Sequence, residues 1–415
     1  MRILLASWTS RQAGGAETYA GRIIGLLASA GCEVAFAYEV EEPESRPQIP
    51  LPPGAPMFQL AGPDGESGFR AAREWRPDVI FAQGLLDPSI EERLQSIAPA
   101  VLFAHSYYGT CISGDKTHKL PIVQPCDRSF GPGCLALYYP RRCGGLNPLT
   151  MIREYSRQQR RLSLLARYAA VVTASEHMRR ELARHGAAGG HVFTCAMPLE
   201  RAEGQVARAA GAAHDPGAPH RLVFVGRMDR LKGGMYLLDA LPLVRPSVQR
   251  PVHLTFAGDG PDRTRWERHA QDVMRRAAGV RVEFAGWLGQ EDVASLLDVS
   301  DLMVMPSLWP EPYGLAGVEA SARGLPVVAY ATGGIPEWLI EGSTGCLAPA
   351  NPPTVEGLAD AIRRCLAQLP SLRQRALAAG GSAPADRHVD ELLPVLRKAA
   401  VHAHRIAPAG ARRDR

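Results

Sequence analysis

The sequence predicts two doubly wound α/β domains facing a central cleft. Short apolar runs rich in β-branched residues alternate with segments of helical period, the pattern of parallel sheets covered by helices on both faces. The alternation stops once, in a stretch poor in large apolar side chains, and then restarts. The chain has 415 residues and is 46% apolar. Single cores stop growing at roughly 250 to 300 residues, so two cores are expected.

In the first domain, residues 1–198, strands are expected at RILLAS (2–7), EVAFAY (33–38), DVIFAQ (78–83), AVLFAH (100–105), AVVTAS (170–175) and VFTCAM (192–197). The Pro-rich EEPESRPQIPLPPGAP (41–56) reads as a surface loop. A cysteine-rich insertion covers 107–147, and MIREYSRQQRRLSLLARYAA (151–170) has a basic, amphipathic helical period. Residues 199–220 are rich in Ala, Gly and Pro and read as the interdomain connection. The second domain, 221–385, restarts the pattern at RLVFVG (221–226), HLTFAG (253–258), VRVEFAG (280–286), LMVMPS (302–307) and PVVAY (326–330). The apolar period of VDELLPVLRKAAVHA places a C-terminal helix at 386–405, and 406–415 reads as a disordered tail.

The net charge of +5 and pI near 8.8 are spread along the chain and not gathered in blocks. Such a balance suits anionic ligands or a lipid surface and does not point to nucleic acid. The opening MRILLASWTSR has too short an apolar run for a signal sequence, and no stretch of about 20 apolar residues occurs. A soluble, cytoplasmic protein is expected.

Ligands of open α/β sheets bind at the carboxyl ends of strands, so the chemistry is sought in the loops that follow them. After the first strand, Gly14 and Gly15 free the backbone at a helix entrance, where unpaired N–H groups suit a phosphate. A tight turn before a helix reads the same way, and the G-x-G-x-x-G spacing of a dinucleotide binder is missing. After RLVFVG, Arg227 and Lys232 precede Gly233 and Gly234, and the two cations suit a diphosphate or simply face solvent. Asp259 and Asp262 read as helix caps.

Glu311 and Glu319 stand eight apart after LMVMPS. Pro310 and Pro312 stiffen Glu311 in a loop, Gly314 opens a turn, and LAGVEASA has helix propensity, which puts Glu319 in its early turns. Two acceptors and a helix N-terminus directed at one place suit a ligand carrying hydroxyls and phosphates.

GGAETY, HSYYG, FVGRMDRLKGGMYLLDAL, FAGDGP, VEFAGWLGQEDVASLLDVSDLMVMPS and EPYGLAGVEASARGLPVVAYATGGIPEWLIEGSTGCL, in this order, resemble the family 4 glycosyltransferases. The likeness covers most of 1–370 and is densest from 221 to 350. It implies a GT-B fold and a retaining, metal-independent sugar transfer that needs no cofactor. The second domain would hold the nucleotide-sugar donor and the first a glycan, lipid or small-molecule acceptor. By the same resemblance Glu311 lies beside the donor sugar, Glu319 takes the ribose hydroxyls, and Arg227 and Lys232 hold the phosphates. Gly14 and Gly15 meet the diphosphate, His105 stands near sugar and acceptor, and Tyr313, Gly314 and Leu315 complete the donor-binding set. Thr332, Gly333, Gly334 and Glu337 match a loop that closes around the donor, and ATGGIPE reads equally as a tight turn before a helix. His105, Glu311, Arg227 and Lys232 form the expected catalytic set.

Cleavage of a glycosyl phosphate puts negative charge on the departing diphosphate, so cations aimed there stabilise the transition state. Retention requires a carboxylate nucleophile or attack on the leaving-group face. The resemblance favours the second, with Glu311 orienting the sugar. A nucleotide-sugar epimerase and a non-catalytic nucleotide-sugar binder stay open as alternatives. The insertion holds Cys111, Cys126, Cys134 and Cys143, which lack the two-residue gap of a zinc knuckle and read as weak metal candidates or as free thiols. The basic helix 151–170 fits either a solvated face or a peripheral membrane contact.

Overall fold

The computed structural model describes residues 1–12, 14–42, 46–187, 191–198, 217–379 and 385–406. Residues 199–216 of the expected connection and 407–415 of the expected tail therefore lie outside the described residues.

The first half carries β1 (Arg2–Thr9), β2 (Glu33–Val40), β3 (Met57–Gln59), β4 (Val79–Ala82), β5 (Ala100–Ala104), β6 (Thr117–His118), β7 (Gln124–Pro125), β8 (Ala170–Thr173) and β9 (Val192–Thr194). Seven of these form one sheet in the order β3-β2-β1-β4-β5-β8-β9, every neighbouring pair parallel. The remaining two, β6 and β7, make a small antiparallel hairpin inside the insertion. The second half carries β10 (His220–Val225), β11 (Val252–Ala257), β12 (Val280–Gly286), β13 (Leu302–Met305), β14 (Val327–Tyr330) and β15 (Gly345–Ala348), all parallel in the order β12-β11-β10-β13-β14-β15. Strands such as β4, β13 and β14 are buried at every position, as expected where helices cover both faces.

Helices α1 (Gly15–Ser29), α2 (Gly65–Glu74), α3 (Pro88–Gln95), α4 (Gly133–Leu137), α5 (Pro148–Leu165) and α6 (Glu176–Arg184) belong to the first half. The second half has α7 (Gly234–Val244), α8 (Arg263–Arg276), α9 (Gln290–Asp298), α10 (Leu315–Ala322), α11 (Val355–Ala367), α12 (Leu369–Ala379) and α13 (Ala385–Ile406). The helix expected over 151–170 starts earlier because Asn147 caps it, its side chain accepting from Leu149 N with Pro148 in the first turn. The strand expected to run to 197 ends at Thr194, and Cys195 and Met197 turn inward into the core.

Two placements decide where a ligand can sit. β1 lies between β2 and β4, and β10 between β11 and β13, so the connections leave these strands in opposite directions and open a crevice beyond their carboxyl ends. The last helix, α13, crosses back to the first sheet and packs on α1, β4 and β5. One buried apolar cluster consequently includes Tyr19, Phe103 and Leu392 together with Met303 and Val318 of the second half. No helix among the described residues is long and apolar enough to cross a membrane.

Candidate functional site

The loop after β10 is shaped by Asp229, whose carboxylate accepts from Leu231 N at 3.0 Å and Lys232 N at 3.1 Å and closes a single 3-10 turn. Gly233 follows at φ +73°, and a Cβ there would run into the Pro306 carbonyl, so only glycine fits between the turn and α7. This turn carries Lys232 Nζ to 2.6 Å from Glu311 Oε1 and 5.1 Å above the Trp309 ring. Glu311 is 5% exposed and also accepts from Ser307 Oγ at 2.5 Å, so two donors fix it. Arg227 does not share this arrangement. Its side chain is 72% exposed, 3.9 Å from Asp229.

Gly14 and Gly15 open α1 as expected, and Gly15 comes against Leu315, the first residue of α10. Two helix N-termini thus approach each other from the two halves of the molecule. Glu319, expected at a ribose, pairs with Arg22 of α1 at 2.9 Å. The cause is the side-by-side approach of α1 and α10, which brings a cation seven residues into one helix beside a carboxylate four residues into the other.

On the first sheet, His105 follows β5 and is half-buried between Phe103, 4.6 Å away between ring centres, and Tyr19, 5.3 Å away. Its Nε2 stands 2.8 Å from Gln83 Oε1. Burial pushes the imidazole down to about 3, so the ring is neutral at physiological pH. Gln83 at the end of β4 escaped the sequence reading. The signal that finds it is topological: it lies at the switch point of the first sheet, a position known only once the strand order is known.

With this geometry in place, the likeness to known proteins can be stated. Residues 13–201 match Glycosyltransferase Family 4 and residues 219–368 match Glycosyl transferases group 1. The chain belongs to the group 1/family 4 glycosyltransferases. A glycogen synthase of Mycobacterium tuberculosis is 36% identical over 162 residues, covering 39% of this chain and 37% of its own. A D-inositol 3-phosphate glycosyltransferase of Corynebacterium diphtheriae is 31% identical over 161 residues, covering 38% and 37%. These matches span well under half the length of the relatives. Along its whole length the family member superposes on the crystal structure of Anabaena HepE in complex with UDP and glucose, with a TM-score of 0.63, 18% identity and coverage of 97% of this chain and 99% of that one. The fold is GT-B.

The loop after β14 packs on Glu311 and on the first domain. Gly333, at φ +63°, backs so closely onto Glu311 that a Cβ would strike its carbonyl oxygen, and Gly334 N donates to that oxygen at 2.8 Å. The Glu337 carboxylate accepts from Glu176 N at 2.8 Å and His177 N at 2.7 Å at the start of α6 of the first domain. The unpaired N–H groups of a helix start attract a carboxylate. The loop around Glu311 is pinned from the same side, since Tyr107 O–H donates to Pro310 O at 2.8 Å and Ser175 O–H to Pro312 O at 2.5 Å. Tyr313 is buried, its carbonyl accepting from Trp338 Nε1 at 2.6 Å, and Gly314 starts α10 at φ +88°. Thr332 is buried, its hydroxyl without a hydrogen-bond partner among the described residues.

The insertion is stapled to the first domain by a buried ion pair, Lys116 with Glu181 of α6. Lys116 Nζ also donates to Arg128 O at 2.5 Å. Cys111, Cys126, Cys134 and Cys143 are free thiols, and burial pushes that of Cys143 up to about 12. Among the described residues no group of three or more His, Cys, Asp or Glu side chains is arranged to hold a metal ion.

Proposed function

We propose that the protein is a retaining glycosyltransferase that moves a sugar from a nucleotide-sugar donor to an acceptor hydroxyl. The observation that carries this reading is the Lys232–Glu311 pair at the switch point of the second sheet, together with the neutral His105–Gln83 pair at the carboxyl ends of the first. Lys232 and the outward-reaching Arg227 supply positive charge where a diphosphate would leave, and the N-termini of α7 and α10 add to it. Glu311, already tied to Lys232 and Ser307, is too constrained to attack a sugar carbon and suits orientation of the ring. The departing phosphate oxygen then takes the acceptor's proton on the same face, and the charge at the diphosphate comes from side chains without a metal ion.

HepE is described in complex with UDP and with UDP-glucose, which supports a uridine donor as the first to test. A lipid-linked acceptor at an anionic membrane face is favoured by the start of α5. Leu146, Leu149 and Ile152 are 64%, 75% and 58% exposed there, and no Asp or Glu occurs from 128 to 153. The test is transfer of labelled glucose from UDP-glucose to a panel of glycan, lipid-linked and small-molecule acceptors, with EDTA present. Product with the donor's anomeric configuration is expected. Interconversion of the donor without any acceptor would mark an epimerase instead, and inverted product would overturn the same-face mechanism.

A further inference from the structure

Gln83 is 3% exposed, and its carboxamide is only half used. Its Oε1 meets His105 Nε2 at 2.8 Å, while its Nε2 has no hydrogen-bond partner among the described residues. Leaving a buried amide N–H unpaired is costly, and such a group in a crevice wall marks a place for a ligand atom.

The oxygen of a carboxamide can only accept, so His105 Nε2 must carry the hydrogen. In a neutral imidazole the other nitrogen, Nδ1, then offers a lone pair. Titratable groups packed on this side include Tyr19 on α1, whose hydroxyl is 2.9 Å from His388 Nε2, His388 itself on α13, behind Phe103, and Cys195, whose thiol is 3.1 Å from His388 Nδ1. Burial is what lowers the pKa of the His105 ring. The His105–Gln83 pair therefore presents one acceptor, one donor and no charge of its own. In the second domain Thr332 Oγ1 and Trp309 Nε1 have no hydrogen-bond partner among the described residues, and Trp309 packs on the first domain's cluster beside Tyr107 with Lys232 Nζ 5.1 Å above its ring. Hydroxyls, which donate and accept at once, match such a lining. A carboxylate would find the Gln83 donor but would face the His105 lone pair without a proton to share.

We propose that Gln83 reads the transferred sugar: its oxygen locks His105 in the Nε2–H tautomer, and its N–H donates to a hydroxyl of a neutral sugar. The assignment rests on the glycosyl-transfer reading above and adds to it a positioning residue and a preference for uncharged hexosyl donors.

Two measurements on the full chain test it. The first is long-range nitrogen-proton NMR of the histidine rings, with His105 assigned by its loss in His105→Gln. A neutral ring with hydrogen on Nε2 from pH 5 to 8 is expected, giving way to a tautomer mixture in Gln83→Leu, whereas Gln83→Glu keeps the hydrogen on Nε2 through its accepting oxygen and, when ionised, also favours a proton on Nδ1. Hydrogen on Nδ1 in the wild type, or a tautomer indifferent to Gln83→Leu, overturns the locking role. The second is calorimetry with UDP and UDP-glucose. Both variants should bind UDP within about twofold of wild type and UDP-glucose about tenfold more weakly. Equal losses for the two ligands, or none, overturn the sugar contact. Should wild type bind neither, the transfer reading falls and the sugar contact with it, while the ring spectra still decide the tautomer. Gln83→Glu keeps the test alive if the leucine variant does not fold.

Discussion

In the second domain the loop after β13 holds Glu311 against Lys232 at 2.6 Å, and in the first the end of β5 holds His105 against Gln83 at 2.8 Å. Both pairs sit at or beside the switch point of a parallel sheet, where the fold leaves the same kind of crevice. One pair is ionic, with a further cation, Arg227, beyond it in solvent. The other is neutral, held so by burial that keeps His105 from taking a proton until pH falls to about 3. The same architecture thus supplies a wall suited to charge that develops on a leaving group and a wall suited to hydroxyls. A static charge near the hydroxyl side would attract water and compete for the incoming nucleophile.

Breaking the ionic wall should have the largest effect. Lys232→Ala removes the cation beneath the expected diphosphate, and the rate of UDP release from UDP-glucose should fall about 10²- to 10³-fold, the loss typical of one preorganised charge-stabilising group. A loss under about tenfold would mean that Arg227 and the helix ends suffice and that the two walls differ less than their chemistry suggests.

A smaller effect sharpens the boundary between the walls. Glu319→Ala should weaken UDP-glucose binding by about 1.5 kcal/mol, the low end for a hydrogen bond to a charged group, because Arg22 already occupies this carboxylate. Arg22→Ala should act in the opposite sense and tighten binding by up to about 1 kcal/mol, the usual ceiling for a partly exposed ion pair. Calorimetry on the two variants checks both signs. Weakening by Arg22→Ala would show that the arginine itself belongs to the donor site.

The smallest effect concerns the seam. Glu337→Ala removes the acceptor for Glu176 N and His177 N at the start of α6, where Ser175 still caps Met178 N, and costs about 1 kcal/mol. That lowers the melting temperature by about 2 to 4 °C for a unit of this size. UDP affinity should stay unchanged, and a matching loss of UDP affinity would return Glu337 to the donor pocket.

Much of this was legible in the chain because it is local. The apolar runs that became β1, β10 and β13, the glycines before α1 and α7, and the Pro-Glu-Pro loop each announce themselves within a dozen residues. What escaped depends on which distant segments meet. Arg22 and Glu319 lie on opposite halves and their pairing follows from the contact of α1 with α10, which no spacing encodes. Glu337 sits in a stretch whose glycines do crowd Glu311, yet its own carboxylate answers to a helix start from the other domain. Gln83 looked like the unremarkable last residue of a strand until strand order placed it beside His105.

The return of α13 to the first sheet bears on the order in which the molecule is made. Tyr19, Phe103 and Cys195 are covered by a helix whose His388 is among the last parts of the described chain to leave the ribosome. The first domain therefore stays open along that side throughout synthesis of the second, and its core closes only when both are complete. An incomplete chain would lack the helix that steadies Tyr19 behind His105, so no nascent fragment would carry a finished neutral wall.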